Sequence, residues 1–495
     1  MAYDSVVPLL AVLVSLAAVP LVMVSSRAPR VRESWTIGAA LVKFGLVISL
    51  LPRVLDGRIP ETRIGEIVPG FDLALRVDPR GMVFALVAST LWVLTSFSSI
   101  GYVRATQERN QTRYFAAFAL CLSSTIGVAF SANLITFIVF YEILTIATYP
   151  LVVHKQTPEA IKAGRKYLAY TLTAGVALLA GAVWLSQTAG TLDFTAGGVF
   201  GGVEAGSGTV RGLFALLVGG VAVKAAVVPL HAWLPSAMVA PTPVSALLHA
   251  VAVVKSGVFG VLRMTGFVFG PTVMDDYGLA LPLAIVAGTT ILLGSLAALA
   301  QDNLKRRLAY STIGHLSYIV LAAALLHPDA FVGGILHITA HATMKITLFF
   351  VAGAIYIHAH RDRVSQLDGI GREMPWTMAA FAVASIGLAG LPPLNGFECK
   401  WFIGAGAAAS GQELALVVLL LSGVLNAAYL FPIVHRAFLR PSTQFAGLGE
   451  APALVRVPLM VTAATSLVFG VFPNAIVRFY DLARMSADAV FGGAG

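Results

Sequence analysis

The chain has 495 residues; only 12% are charged and 58% are hydrophobic, and Lys+Arg 33 against Asp+Glu 24 leaves a formal charge of +9. A soluble chain carries about twice that charged fraction. Together with a mean hydropathy of +0.84, this composition excludes an ordinary soluble enzyme, a disordered protein and a nucleic-acid binder. Apolar residues gathered into runs of about 20 make the class an all-α polytopic membrane protein. The basic excess then belongs to cytoplasmic loops rather than to an acidic partner. Cys121 and Cys399, each inside an apolar stretch, suit neither a disulfide framework nor a thiolate metal site.

In chain order, Met-Ala-Tyr-Asp precedes an apolar run from Val6 to Val24. No basic n-region is present, so this run reads as a retained first span rather than a cleaved signal. Breaking the later runs at charge clusters gives about fourteen spans. They lie near 6–24, 34–52, 82–103, 113–130, 133–153, 166–186, 212–231, 242–264, 279–300, 309–326, 331–356, 375–404, 412–438 and 454–474. Every second short loop is basic: Arg27, Arg30 and Arg32; Arg104, Arg109 and Arg113; Lys155, Lys162, Arg165 and Lys166. The series continues with Lys305, Arg306 and Arg307; Arg361, Arg363 and Arg372; Arg436 and Arg440. The positive-inside rule then puts both termini outside the cell's inner membrane. The loop from Pro235 to Pro241 is the exception, having no charge. The loop from Arg53 to Arg80 is charge-balanced and reads as extracytoplasmic, and the Gly-rich 187–211 segment reads as a surface connection. No P-loop occurs, which argues against nucleotide-driven transport by this chain.

Ionisable residues inside apolar spans are expensive and mark function by default. Glu142 lies in the middle of Ile-Thr-Phe-Ile-Val-Phe-Tyr-Glu-Ile-Leu-Thr, and Lys224 shortly before Pro229. An isolated buried carboxylate or ammonium would neutralise, whereas a Glu⁻ paired with a Lys⁺ stays poised. A structural salt bridge is the competing account. His249 and Lys255 share the next span, and His337, His341 and Lys345 recur every fourth residue on one helix face. A metal at that His-x-x-x-His pair is disfavoured by the neighbouring ammonium. Imidazoles alternating with amines at one-turn spacing suit a proton relay instead. Lys43 reads as a lysine snorkelling to the interface, and His315 reads equally as a hydrogen-bonded core residue. Two spans look broken, at Pro229-Leu-His-Ala-Trp-Leu-Pro and at Gly390-Leu-Pro-Pro-Leu-Asn-Gly, the second placing Pro392 and Pro393 before Glu398 and Lys400. Lysine precedes one break and follows the other, the mirrored order of an inverted-topology repeat.

Taken together, these segments resemble the antiporter-like subunits of respiratory complex I, Mrp-type cation/proton antiporters and membrane-bound hydrogenases. The resemblance rests on Asp78-Pro-Arg-Gly-Met-Val-Phe, Phe140-Tyr-Glu-Ile-Leu and Lys224-Ala-Ala-Val-Val-Pro-Leu-His-Ala-Trp-Leu-Pro. It extends through Ala240-Pro-Thr-Pro-Val-Ser-Ala-Leu-Leu-His, Lys305-Arg-Arg-Leu-Ala-Tyr-Ser-Thr-Ile and His341-Ala-Thr-Met-Lys-Ile-Thr-Leu-Phe-Phe. Asp368-Gly-Ile-Gly-Arg and Leu425-Asn-Ala-Ala-Tyr-Leu-Phe-Pro-Ile-Val are similar to the D-type subunit of Mrp antiporters; Glu398 departs from the family, which has an uncharged residue there.

The resemblance implies fourteen transmembrane helices, two inverted five-helix repeats and a central polar axis. The expected parts are N-terminal helices and loop at 1–112, repeats at 113–264 and 279–438, and a last helix and tail at 439–495. It assigns proton-path roles to Glu142, Lys224, His249, Lys255, His341, Lys345 and Lys400, with Pro229, His337, Pro392, Pro393 and Glu398 in support. The implied function is the proton-translocating subunit of a multi-subunit Na⁺/proton antiporter, with other membrane subunits, protons, a monovalent cation and the bilayer as partners. The alternative is a proton-pumping subunit of an NADH-quinone oxidoreductase or hydrogenase. No flavin, nicotinamide or iron–sulfur motif occurs, so neither a resident cofactor nor a metal is expected, and any redox chemistry comes from partners.

Overall fold

The computed structural model describes residues 2–68 and 70–492. Met1, Pro69 and residues 493–495, which fall within the first and last expected parts, lie outside the described residues. Hydrocarbon offers no partner to backbone polar groups, so long apolar runs must close their own hydrogen bonds as helices. The chain begins with α1 (Val7–Val24), α2 (Pro29–Leu55), α3 (Pro79–Ala105), α4 (Gln111–Ala129), α5 (Leu134–Val152), α6 (Pro158–Ala189) and α7 (Ser207–Lys224). The short α8 (Trp233–Ser236) leads to one apolar stretch, Thr242–Asp276, built from α9 (Thr242–Ala246), α10 (Val253–Arg263) and α11 (Gly270–Asp276). Two π-helical turns, Leu247–Val251 and Met264–Phe269, join them.

Then follow α12 (Ala280–Leu299), α13 (Leu304–Ala324), α14 (Pro328–Ala359), the short α15 (Ile370–Glu373), α16 (Pro375–Ala389), α17 (Asn395–Ala409), α18 (Glu413–Leu439), α19 (Ala453–Val471) and α20 (Phe479–Phe491). Among the described residues, 12 helices are long and apolar enough to cross a membrane. The protein is therefore a multi-pass membrane protein. Of the remaining expected spans, one falls on α13, whose first turn carries Lys305, Arg306 and Arg307. The other falls on the interrupted α16–α17 pair. The amphipathic α20 lies beyond the last expected span.

Helix starts follow their side-chain chemistry. Asp78 accepts from Gly81 N at 2.8 Å, Asn133 from Thr136 N at 2.8 Å and Asn303 from Arg306 N at 3.1 Å, each such cap contributing about 1 kcal/mol. Residues 242–270, and 330–355 of α14, are enclosed on all sides by the rest of the protein, whereas α18 and α6 lie at the rim.

Basic loops gather at one end and interlock there. Arg32 donates to Gln111 Oε1 at 2.6 Å, Arg104 pairs with Glu33, Arg113 donates to His154 O at 3.0 Å and Arg436 to Asp368 at 3.0 Å. The uncharged loop at Pro235–Pro241 lies at this end too. Neighbours supply its cations: Lys166 Nζ reaches Ser236 Oγ at 3.2 Å and Lys305 Nζ reaches Ala240 O at 2.6 Å.

The opposite end differs from the sequence reading. Residues taken as a plain loop form a sheet of β1 (Ala2–Asp4), β2 (Ile59–Val68) and β3 (Phe71–Arg76), with β1 parallel and β3 antiparallel to β2. Charges at Glu61, Arg63 and Glu66 mask the strand periodicity, yet Glu61 opposes Arg76 in register and accepts from its Nε at 2.9 Å. The sheet covers the start of α5 through Asn133 Nδ2 to Asp72 O at 2.8 Å.

At the start of α3, buried Asp78 holds two buried guanidiniums, Arg80 at 2.8 Å and Arg263 of α10, while Phe267 lies 3.1 Å beneath Arg80. The Gly-rich connection is packed rather than free. Thr195 N and Val199 N donate to Phe267 O and Val268 O at 3.1 and 2.9 Å, satisfying carbonyls of the second π turn.

Candidate functional site

Glu142 points from α5 at the backbone of α6. A Cβ added at Gly175 would lie 2.5 Å from both its Cδ and Oε1, so any side chain there would push the carboxylate from this position. Glu142 Oε1 has no hydrogen-bond partner among the described residues. Lys224 is the last residue of α7, where the helix's terminal carbonyls favour a cation. Its Nζ donates to Tyr141 O at 2.5 Å and lies 3.3 Å from the centre of the Tyr141 ring. Among the described residues no direct ion pair joins Glu142 to Lys224; Tyr141, the neighbour of one, holds the other. The helix ends there because the chain turns through Pro229, and Trp233 Nε1 folds back to Val223 O at 2.8 Å.

At the centre, the backbone leaves the first π turn at Ala252 (φ −112, ψ −80) and re-enters a helix carrying Lys255. Lys255 Nζ meets His341 Nδ1 at 3.0 Å, both residues fully buried. His249 lies against Phe349, ring centres 4.8 Å apart, and neither of its ring nitrogens has a partner among the described residues. Lys255 is thus paired with His341 of α14 rather than with His249 of its own span.

His337, His341 and Lys345 do share one side of α14, yet they bond to other helices rather than to each other. His337 Nδ1 meets Cys399 Sγ at 2.9 Å and its Nε2 faces His315 Nδ1 at 3.4 Å, the two rings stacked at 9°. His341 lies 5.7 Å from His315 between ring centres, and Lys345 Nζ donates to Ser311 Oγ at 2.7 Å. Several amines within one low-dielectric region titrate as a coupled set.

The second break presents carbonyls to Lys400. α16 stops at Ala389, Gly390 takes φ +89, and Lys400 Nζ donates to Leu388 O at 2.8 Å and Ala389 O at 3.0 Å. A Cβ on Gly390 would come 2.6 Å from Lys400 Cδ, so this position needs glycine for both its backbone angle and its space. Pro392 and Pro393 fill the connection without offering donors. Glu398, in the first turn of α17, makes no hydrogen bond or ion pair among the described residues. Beside Lys400 a cavity of about 440 Å³ opens between α17 and α18.

Lys43 does not snorkel. It is fully buried, bonded to Ser15 Oγ and to Leu122 O at 2.9 Å, with its Nζ 5.0 Å from the Trp92 ring centre. Tyr141, Gly175, Ser311 and Cys399 also line the site, and the sequence alone gives none of them a role. Hydroxyls, thiols and glycines are common in apolar helices and give no signal alone; only adjacency in space marks these. At the basic end a cavity of about 560 Å³ reaches inward past Lys155 and Lys305 to Thr242 of α9.

Residues 131–426 match the family model described as NADH:quinone oxidoreductase/Mrp antiporter, transmembrane. The chain belongs to this family. A protein of Desulforudis audaxviator named NADH-quinone oxidoreductase subunit N is 31% identical over 83% of this chain and 84% of its own length. A Rhizobium meliloti protein, named as a probable A/B-type component of a K(+)/H(+) antiporter, is 33% identical over 89% of this chain, which spans 44% of that relative's length. Among solved structures, the Mrp complex from Dietzia sp. DQ12-45-1b contains a chain that superposes with a TM-score of 0.86. The match has 22% identity and covers 99% of this chain and 97% of that one, a likeness of fold. The protein is thus an antiporter-like membrane protein of the NADH:quinone oxidoreductase/Mrp family, and Glu142, Lys224, His249, Lys255, His341, Lys345 and Lys400 all fall inside the matched segment.

Proposed function

We propose that this chain is the proton-translocating subunit of a multi-subunit cation/proton antiporter in the cell's inner membrane. A single observation carries the reading. Lys224, Lys255 and Lys345 are fully buried and Lys400 is partly buried, and each is held by neutral partners: Tyr141 O, His341, Ser311 and the end of α16. Buried amines without bonded counter-ions are costly as structural features but suit groups that gain and lose protons. The proton moves along Glu142, Lys224, Lys255 with His341, Lys345 and Lys400, with water completing the line and His249, His337 and Glu398 tuning it. Pro229, Pro392 and Pro393 keep the two helix breaks open. Na⁺ is the exchanged cation in this reading, and the name of the Rhizobium relative makes K⁺ the comparison to run.

The reading divides the chain into inverted five-helix repeats at 113–264 and 279–438, flanked by 1–112 and 439–495, about fourteen spans in all. Its basic end faces the cytoplasm and both termini face outward. Support for the repeat comes from Lys224 closing one broken helix while Lys400 follows the other. Support for the partners comes from the Mrp complex as a fold neighbour. The match to subunit N over most of that protein's length favours a second reading, a pumping subunit driven by a redox partner.

The test is purification of the intact complex, identification of its co-purifying subunits, and proton transport in vesicles under Na⁺ or K⁺ gradients. Glu142→Ala and Lys224→Ala should each abolish transport while the complex still assembles. Full transport by both variants would overturn the reading, and co-purifying quinone-site or iron–sulfur subunits would replace the antiporter with the redox-driven pump.

A further inference from the structure

A second hydrogen-bonded chain leaves Lys345 and runs beside the histidines. Its bond directions are forced, because each hydroxyl has one hydrogen. The Lys345 ammonium only donates, so Ser311 Oγ accepts from it at 2.7 Å. Tyr429 donates its hydrogen to Asn426 Oδ1 at 2.7 Å. The 2.7 Å contact between Ser311 and Tyr429 must then carry the Ser311 hydrogen. Asn426 Nδ2 donates to Tyr318 Oη at 3.0 Å and to Leu388 O at 3.3 Å. Ser422 gives its own hydrogen to Leu419 O at 2.8 Å, which leaves Tyr318 donating to Ser422 at 2.5 Å. Every bond points away from Lys345, and Ser311, Tyr429, Asn426, Tyr318 and Ser422 are all buried.

The far end reaches the terminal lysine twice. Lys400 Nζ lies 5.1 Å from the centre of the Tyr318 ring, and Leu388 O accepts from both Asn426 and Lys400, the latter at 2.8 Å.

A neutral lysine amine can accept a hydrogen bond, which an ammonium cannot. We propose that Asn426 is a positioning residue whose amide turns over with the protonation of Lys345 and passes that state to Lys400. When Lys345 is neutral, Ser311 donates to its Nζ, Tyr429 donates to Ser311, and the Asn426 amide presents Nδ2 to Tyr429 and Oδ1 to Tyr318. Leu388 O is then released from Asn426 and left to Lys400 alone. No proton crosses the amide. The signal is a reversal of bond polarity, which lets the two lysines respond to each other without exchanging a proton.

This inference rests on the proton-transport reading. Lys345 is also faced by His249 from the first π turn, Lys255 from α10, His315 from α13, and His337 and His341 on its own helix. Lys400 is faced by His315, by His337 of α14 and by Cys399 beside it.

The experiment uses the purified complex in vesicles and reads the full pH profile of proton transport. Tyr429→Phe and Asn426→Leu should leave assembly intact and displace the profile toward acid by about one unit, the effect of one hydrogen bond to a charged group. Tyr318→Phe keeps the ring beside Lys400, removes one hydroxyl and should displace it likewise; it serves if the larger changes fail to assemble. Lys345→Ala runs in parallel. If Lys345→Ala abolishes transport while the assembled hydroxyl and amide variants keep the wild-type profile, the switch is overturned and the transport reading stands. If Lys345→Ala transports fully, Lys345 is outside the path and the inference falls with that part of the reading.

Discussion

Gly175 shows how little space decides the setting of Glu142. The α6 backbone is the wall against which the carboxylate lies, and any side chain at 175 displaces it. Gly175→Ala adds one methyl, to which the flexible end of Glu142 must yield by moving. The variant complex should assemble and lose most of its proton transport, measured per assembled complex. Transport at the wild-type rate would show that the carboxylate's position is immaterial. Glu142 itself was legible from its sequence, because a carboxylate amid Phe, Ile and Leu stands out. Gly175 was not, since a glycine in a transmembrane helix has many explanations. The same contrast separates Lys345 from Ser311 and Tyr429. Ionisable groups declare themselves by cost, whereas hydroxyls declare themselves only through what they touch.

Helix existence was legible from the apolar runs, but the helix ends were shifted: α13 begins at Leu304, taking in the cluster of Lys305, Arg306 and Arg307 that was read as its border, and α7 ends at Lys224 rather than at 231. Irregular backbone was not legible. Nothing in Leu247–Val251 announces a π turn, and nothing in the sequence announces that Lys255 of the helix after it meets His341 of α14. The hairpin of β2 and β3 escaped notice because its outward positions carry alternating charges and its inward ones are few.

Loops at the basic end hold a pH-sensitive contact. His154, between α5 and α6, lies 3.7 Å from Glu108 of the α3–α4 loop. Burial, followed by the neighbouring Arg113, lowers its imidazole from 6.5 to about 4. An unfolded imidazole takes up a proton first, so stability falls as pH drops from the ordinary value toward about 4 and levels off below. Burial pushes the Glu108 carboxyl up against the pull of Lys155 and Lys305, and a raised carboxyl works in the opposite sense as pH drops toward its ordinary value. His154→Phe separates the two. The wild-type melting temperature should decline between pH 7 and 5, and the variant's decline should be smaller; identical slopes would remove His154 as the cause.

Across the whole molecule, the enclosed parts of the Thr242–Asp276 stretch and of α14 carry most of the candidate groups, and the rim helices shield them. That arrangement follows from cost: charged groups go where other helices can solvate them. Lys43 extends the principle beyond the matched segment, to the joint of α1, α2, α3 and α4. Its ammonium is surrounded by Ser15, Leu122 O and Trp92, and dissolved ions have no route to it. Near the start of α2, Glu33 meets Arg104, whose side chain is 51% exposed and therefore within reach of the ionic atmosphere. At 1 M salt the screening length shrinks to about 3 Å, so hydrogen exchange in the Arg104–Arg109 loop should quicken while the backbone around Lys43 keeps its protection. Counter-ions, in other words, can loosen one end of α2 and leave its middle untouched.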